Sequence, residues 1–431
     1  MTEIGATNLN LLGLCFILIV GILVLFLPPR LVFIPFIITA CYITIGQQLV
    51  ILGFHFHAIR IFILLAWIRL IVRGEIRGLK LNSIDKAVIW WLVISFIANT
   101  LLWQTSEALV YRIGQTYNAA GLYFLFRILI RDIGEIEKII KISAIIILPL
   151  SIIMIFELFS GRNIFSIFGG VPEISWVRDG GVRAQGPFMY AGLAGTMGAV
   201  LMPLYVSLWY SDKARFNAIV GFVAATMITI ASHSSGPLLA YCAGIVGLIM
   251  WPFHNRMRMV QYAILFTLIS LHLVMKAPIW FLIARMGGLV GGDAYHRSAI
   301  IDAAVKHFNE WWLIGTTDTA AWMPYLLQSA PDKYFADITN QYISVGINGG
   351  LASMLLFIII IILCFREIGI SLRLNENQPF SVRIILWSLG ASLFVHVVGF
   401  FSVSYFDQTI VFWYLLLAMI SAFSMQRQQK V

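Results

Sequence analysis

Polar clusters divide the chain into a series of apolar runs, at 9–27, 31–51, 58–72, 87–102, 109–130, 139–158, 189–210, 217–232, 238–253, 259–277, 340–365, 384–400 and 409–424. Most are about 15 to 25 residues long, which suits helices crossing a hydrocarbon layer of roughly 30 Å. None shows the ten-residue alternation that would mark strands of a membrane β-barrel. The pattern predicts an all-α polytopic membrane protein with about 12 to 13 transmembrane helices, built as a single integral domain over 1–431. Two segments between the runs are much longer than the rest, 159–188 and 278–339, and these are expected to be non-cytoplasmic loops carrying function.

Composition agrees with the pattern: 60% of residues are hydrophobic and 11% charged, far from the balance of a soluble domain. Alternate connections collect Lys and Arg, among them Arg73, Lys80, Arg131, Lys138, Lys213, Arg256, Arg366 and Arg373. By the positive-inside rule these connections are cytoplasmic, which puts the amino terminus outside and the basic tail inside. The net charge of +9 is then a property of topology and gives no reason to invoke nucleic acid. The opening MTEIGATN has no basic n-region or small-residue cleavage site, so 9–27 reads as a retained helix. Cys15, Cys41, Cys242 and Cys364 are scattered through apolar runs without CxxC spacing, arguing against disulfides and zinc.

Three arginines stand out near the predicted outer face. Arg183 precedes the glycine-rich entrance of a helix in RAQGPFMYAG, where small residues serve helix packing or the close approach of a headgroup. Arg297 opens a predicted amphipathic helix over 297–312, whose apolar stripe comprises Ile300, Ala304, Phe308 and Trp311. An arginine aimed at an apolar surface needs an anion, a carboxylate such as Asp293 or Asp302, or a route to the interface. Arg112 leads a polar stripe with Gln115 and Asn118, which either lines a cavity or ties helices together. The His55 and His57 pair lacks neighbouring acids or cysteines, so a metal site there is not expected. His272 and His396 read as interhelical hydrogen-bonding groups, and His233 as part of a turn in SHSSGP.

The segment order from about 180 to 365 resembles the O-antigen ligase and surface-polysaccharide polymerase superfamily of membrane glycosyltransferases. The resemblance rests on Arg183, Gly186 and Phe188 opening a helix, on SHSSGPLLA between helices, on an arginine starting a loop helix that runs to Trp and LIGT, and on NQYISVGINGGL re-entering the membrane. It implies transfer or polymerisation of an undecaprenyl-diphosphate-linked glycan on the periplasmic side of a bacterial inner membrane. The acceptor would be a glycan or a lipid-linked molecule, with membrane lipid and envelope polysaccharide-assembly proteins as further partners. No cofactor and no metal are expected. Arg183 and Arg297 would match the family's diphosphate-binding arginines, Arg112 would assist, and guanidinium forks suit phosphate oxygens.

Two positions depart from the family pattern. The turn has Ser234, Ser235 and Gly236 where the family has Ser-Arg-Gly, and Thr339 precedes Asn340 where the family has a histidine. Threonine cannot act as a base in the physiological range. Asp337 is the first candidate for that role and His296 the second, with His307 and Glu310 farther along and Thr339, Asn340 and Tyr342 as support. The alternative role for Asp337 is to cap the helix that follows. Two other function classes stay open: a polysaccharide or lipid transporter, which would show paired inverted halves around interrupted helices, and a non-catalytic scaffold in envelope assembly.

Overall fold

A computed structural model describes residues 9–51, 53–76, 79–178, 180–211, 213–283, 294–322 and 338–428. Its helices, in chain order, are α1 (Leu11–Phe26), α2 (Phe33–Tyr42), α3 (Ala58–Val72), α4 (Ser83–Trp103), α5 (Ser106–Leu129), α6 (Ile133–Ser160), α7 (Ala191–Ser207), α8 (Arg215–Ala231), α9 (Ser235–Ile249), α10 (Met257–Val274), α11 (Ala294–Lys306), the single turn α12 (Phe308–Trp311), α13 (Gln341–Leu374), α14 (Phe380–Gly399) and α15 (Ile410–Gln428). Short polar residues start several of them. Asn10, Asn82, Thr105, Asp132 and Asn340 each accept a hydrogen bond from a free backbone N–H of the first turn. Among the described residues, six helices are long and apolar enough to cross a membrane, and further apolar helices are shorter. The fold is that of an α-helical, multi-pass membrane protein.

The core forms where α7 packs on α8, α9 and α14, where α6 packs on α8, and where α13 and α15 pack on α4 and α5. At one end of the bundle, a buried carboxylate joins helices far apart in sequence. Asp85 Oδ1 accepts from Tyr123 Oη at 2.6 Å, Ser421 Oγ at 3.1 Å and Arg127 Nε at 3.2 Å, so that α4, α5 and α15 meet on one group. Asp85 and Arg127 are both fully buried, and an ion pair so placed holds only because hydrogen bonds satisfy its carboxylate.

The opposite end carries two β-hairpins and differs from the sequence expectation. The run 31–51 is not one spanning helix: α2 stops at Tyr42, and Gln48–Ile51 forms a strand, β1, paired antiparallel with β2 (Phe54–His57). Val50 and Ile51 are β-branched and β2 alternates Phe with His, which favours strands over helix, and Gly53 turns the chain with φ of 80°. His55 and His57 lie on β2, where one ring nitrogen of each bonds Gln48 Oε1 and the Ile45 carbonyl respectively. The second hairpin is β3 (Val177–Arg178) with β4 (Gly181–Val182). The amphipathic helix expected over 297–312 is α11 followed by α12, broken at His307.

Helix α13 is interrupted at Gly350, whose φ of 73° and ψ of 176° lie outside the helical region. In an unbroken helix the Leu351 N–H would bond the Ile347 carbonyl four residues earlier. Here the Leu351 N–H donates instead to the Trp312 carbonyl at 2.8 Å, and the Ile347 carbonyl accepts from the Thr316 N–H at 3.0 Å. The segment WLIGT thus takes over both halves of the lost bond. A Cβ on Gly350 would run into the Leu313 carbonyl, and one on Gly315, at φ of 101°, into that of Ile347. Behind the break, the Ser95 and Ser353 hydroxyls bond each other and Asn99 Nδ2 donates to the Asn348 carbonyl. Replacing Gly315 or Gly350 by alanine should cost about 2 kcal/mol or more, from steric clash and strained φ together. The expected result is a lower midpoint of thermal unfolding in detergent with faster tryptic cleavage after Lys306; an unchanged midpoint in both variants would count against this account of the break.

Candidate functional site

The turn between α8 and α9 brings two arginines from distant parts of the chain to neighbouring side chains. Arg183 Nη2 donates to Ser234 Oγ at 3.1 Å, and Arg297 Nη2 donates to Ser235 Oγ at 3.3 Å. Both arginines are half-buried. Gly236 leaves room for this arrangement, since a Cβ there would press on Ser402 and stand 3.2 Å from Arg297 Nη2. Within the turn His233 has φ of 41°, a left-handed conformation uncommon outside glycine, though histidine, asparagine and aspartate adopt it more often than other residues. His233 is exposed, and its ring lies over Gly181, where a Cβ would meet it. The bundle end therefore presents two cations, two serine hydroxyls and one imidazole around a single turn.

Arg183 is held by its backbone. Its N–H donates to the Trp176 carbonyl at 2.9 Å, and the next residue's N–H reaches the Ala231 carbonyl at 3.0 Å, tying the segment to the end of α8. Glu157, buried at the end of α6, accepts from Gln185 N at 3.0 Å, Gly186 N at 2.9 Å and Ser175 Oγ at 2.8 Å. Asn163 Nδ2 donates to the Gly186 carbonyl at 2.7 Å. One carboxylate thus gathers three donors and fixes the chain two residues beyond Arg183. Glu157 is invisible as a site residue in the sequence because it ends an apolar run without any motif.

Arg297 is held by packing. Ile300, Ala304 and Trp311 of the expected stripe are buried against Ile343 and Ile347 in the first half of α13, whereas Phe308 is 38% exposed. Ser298 Oγ donates to the Trp280 carbonyl, and Trp280 Nε1 donates to Asp302 Oδ1 at 3.3 Å. Asp302 also pairs with Lys306 at 2.6 Å. His307 and Glu310 pair with each other at 2.6 Å, and Glu310 Oε2 accepts from Trp322 Nε1 at 2.8 Å. That pair holds Glu310 below the ordinary glutamate range, through the His307 hydrogen bond first and the Trp322 bond second. Both residues thus already serve the packing of the loop helix.

The other sequence candidates fall at several places. Asp337 and Asp293 lie outside the described residues. Asn340 is the cap of α13, its side chain accepting from Ile343 N at 3.2 Å, and Tyr342 Oη donates to the Val397 carbonyl at 3.0 Å. Thr339 directly precedes that cap, and His296 is half-buried on α11 next to Arg297. Arg112 is half-buried on α5 beside the Tyr111 and Tyr414 hydroxyls; its described neighbours do not include the serine turn, and its Nε has no hydrogen-bond partner among the described residues. His396 pairs with Tyr405, its Nδ1 2.8 Å from Tyr405 Oη.

The connection between α14 and α15 closes the site from the far side. Ser402 packs at Gly236, and buried Asp407 accepts from Met189 N at 3.2 Å and from Thr409 N and Oγ1. Comparison with protein-family models and with curated proteins finds no match for the chain.

Burial raises the Asp407 carboxyl above the usual aspartate range, the hydrogen bonds from Thr409 and Met189 opposing only part of that. A carboxyl with a raised folded pKa binds its proton more tightly folded than unfolded, so stability falls as pH rises from the unfolded value of about 3.9 through the folded one. Denaturant midpoints of the purified protein should show this downward slope. It should shrink in Asp407→Asn; a variant that keeps the full slope would place the titration elsewhere.

Proposed function

We propose that the chain is a metal-independent membrane glycosyltransferase that transfers or polymerises a polyprenyl-diphosphate-linked glycan at the periplasmic face of a bacterial inner membrane. The observation that carries this reading is the meeting of Arg183 and Arg297 on Ser234 and Ser235. As a sugar leaves its diphosphate, negative charge grows on the bridging oxygen, and preorganised cations lower the barrier by receiving it. Two guanidinium groups on separate supports, one fixed through the backbone and one through a packed helix, offer planar donors to two phosphates without a metal. Serine hydroxyls are neutral acceptors, and anionic phosphate oxygens are stronger acceptors for the same guanidinium donors. The ligase and polymerase resemblance of the sequence supports the same class, and a topology of about 12 to 13 spans with both long segments outside is part of the proposal.

A transport reading draws on the interruption of α13, since broken helices often mark substrate sites in transporters. The freed groups at that break are already bonded to Trp312 and Thr316, so they are closed to a substrate. The glycosyltransferase reading is therefore preferred.

With purified protein and an undecaprenyl-diphosphate oligosaccharide, the expected result is release of undecaprenyl diphosphate together with a lengthened or transferred glycan. Arg183→Ala and Arg297→Ala should each lower the rate by about 10²-fold or more, the scale on which loss of one charge-stabilising donor acts. Normal turnover in both variants would reject the assignment, and movement of intact substrate across proteoliposomes would favour transport.

A further inference from the structure

Attack by a sugar hydroxyl on an anomeric carbon gains from a base that takes the hydroxyl proton, and the sequence lacks a histidine before Asn340. We infer that His233 is that base, an inference that rests on the proposed transfer reaction. Three observations lead to it. His233 directly precedes Ser234 and Ser235, the hydroxyls on which Arg183 and Arg297 converge, so the imidazole belongs to the same turn as the proposed diphosphate cradle. Its ring is exposed, whereas the rings of His396 and His57 are engaged inside the protein with Tyr405 and the Ile45 carbonyl. Its backbone holds φ of 41°, a left-handed value uncommon outside glycine, and sparsely populated conformations of this kind cluster at functional sites.

The reaction runs as follows. The acceptor hydroxyl oxygen forms a bond to the anomeric carbon of the donor sugar while its proton passes to the free imidazole nitrogen of His233. The bond from the anomeric carbon to the diphosphate oxygen breaks, its electron pair leaving with the diphosphate, whose charge falls on Arg183 and Arg297. Proton, charge and leaving group are then all placed around one turn. The imidazole lies close over Gly181 on the second hairpin, where the absence of a side chain leaves it room.

The test compares His233→Ala and His233→Asn with the wild-type chain. Asparagine tolerates the left-handed backbone and supplies no base, so it separates folding from chemistry. With undecaprenyl-diphosphate oligosaccharide as donor, both variants should lose about 10² to 10⁴ in kcat. The KM for the donor and the binding of undecaprenyl diphosphate should stay near wild-type values. The acid limb of the wild-type pH–rate profile should disappear in both, and added imidazole should restore part of the rate of His233→Ala. His233→Asn turning over like wild type, or keeping the acid limb, would overturn the assignment of His233 while leaving the glycosyltransfer reading intact. Absence of any product from wild-type protein at every pH would overturn both.

Discussion

A polar backbone group in an apolar surrounding must find a partner or cost several kcal/mol, and in this protein that requirement is met across a broken helix. At Gly350 helix α13 gives up one of its own hydrogen bonds, and the Trp312 carbonyl and Thr316 N–H receive the two orphans. That exchange docks residues 312–316 on α13. The same stretch follows α11 and α12, whose apolar side rests on Ile343 and Ile347, so the anchoring of a loop and the position of Arg297 have one cause. Two glycines, Gly315 and Gly350, permit the approach, and neither could be replaced without moving backbone.

The second arginine depends on a different device. Glu157 receives two backbone N–H groups and the Ser175 hydroxyl, which converts a glycine-rich segment into a fixed support. Burial of that carboxyl is tolerated because three donors face it. Asp407 acts in a similar way across the site, joining Met189 to the start of α15. The candidate site is thus a shell of short polar anchors around a small group of cations and hydroxyls, and its shape comes from backbone capture more than from apolar packing.

Much of the helical frame was legible because length and apolarity alone decide whether a segment can be a long buried helix. The runs at 58–72 and 384–400 match α3 and α14 closely. The run 31–51 misled, since hydropathy does not distinguish a helix from a hairpin once the residues are branched and aromatic. Arg183 and Arg297 could be singled out as charges beside apolar helices, but their meeting on adjacent serines could not, because it is set by tertiary contacts more than fifty residues apart in sequence. Glu157 was missed for the same reason: its partners lie in the next loop. The break at Gly350 had a local sign in NGG, yet the match with LIGT emerges only when both segments lie side by side.

The carboxylate of Asp85 carries a consequence for biogenesis. Its donors come from α5, synthesised soon after Asp85, and from Ser421 in α15, 336 residues later in the chain. Until then Arg127 and Asp85 face each other with an incomplete set of ligands, so the nascent chain must shelter a half-solvated ion pair through most of its insertion. Truncation before Ser421 would strand it there, so that a defect in α15 is felt between α4 and α5.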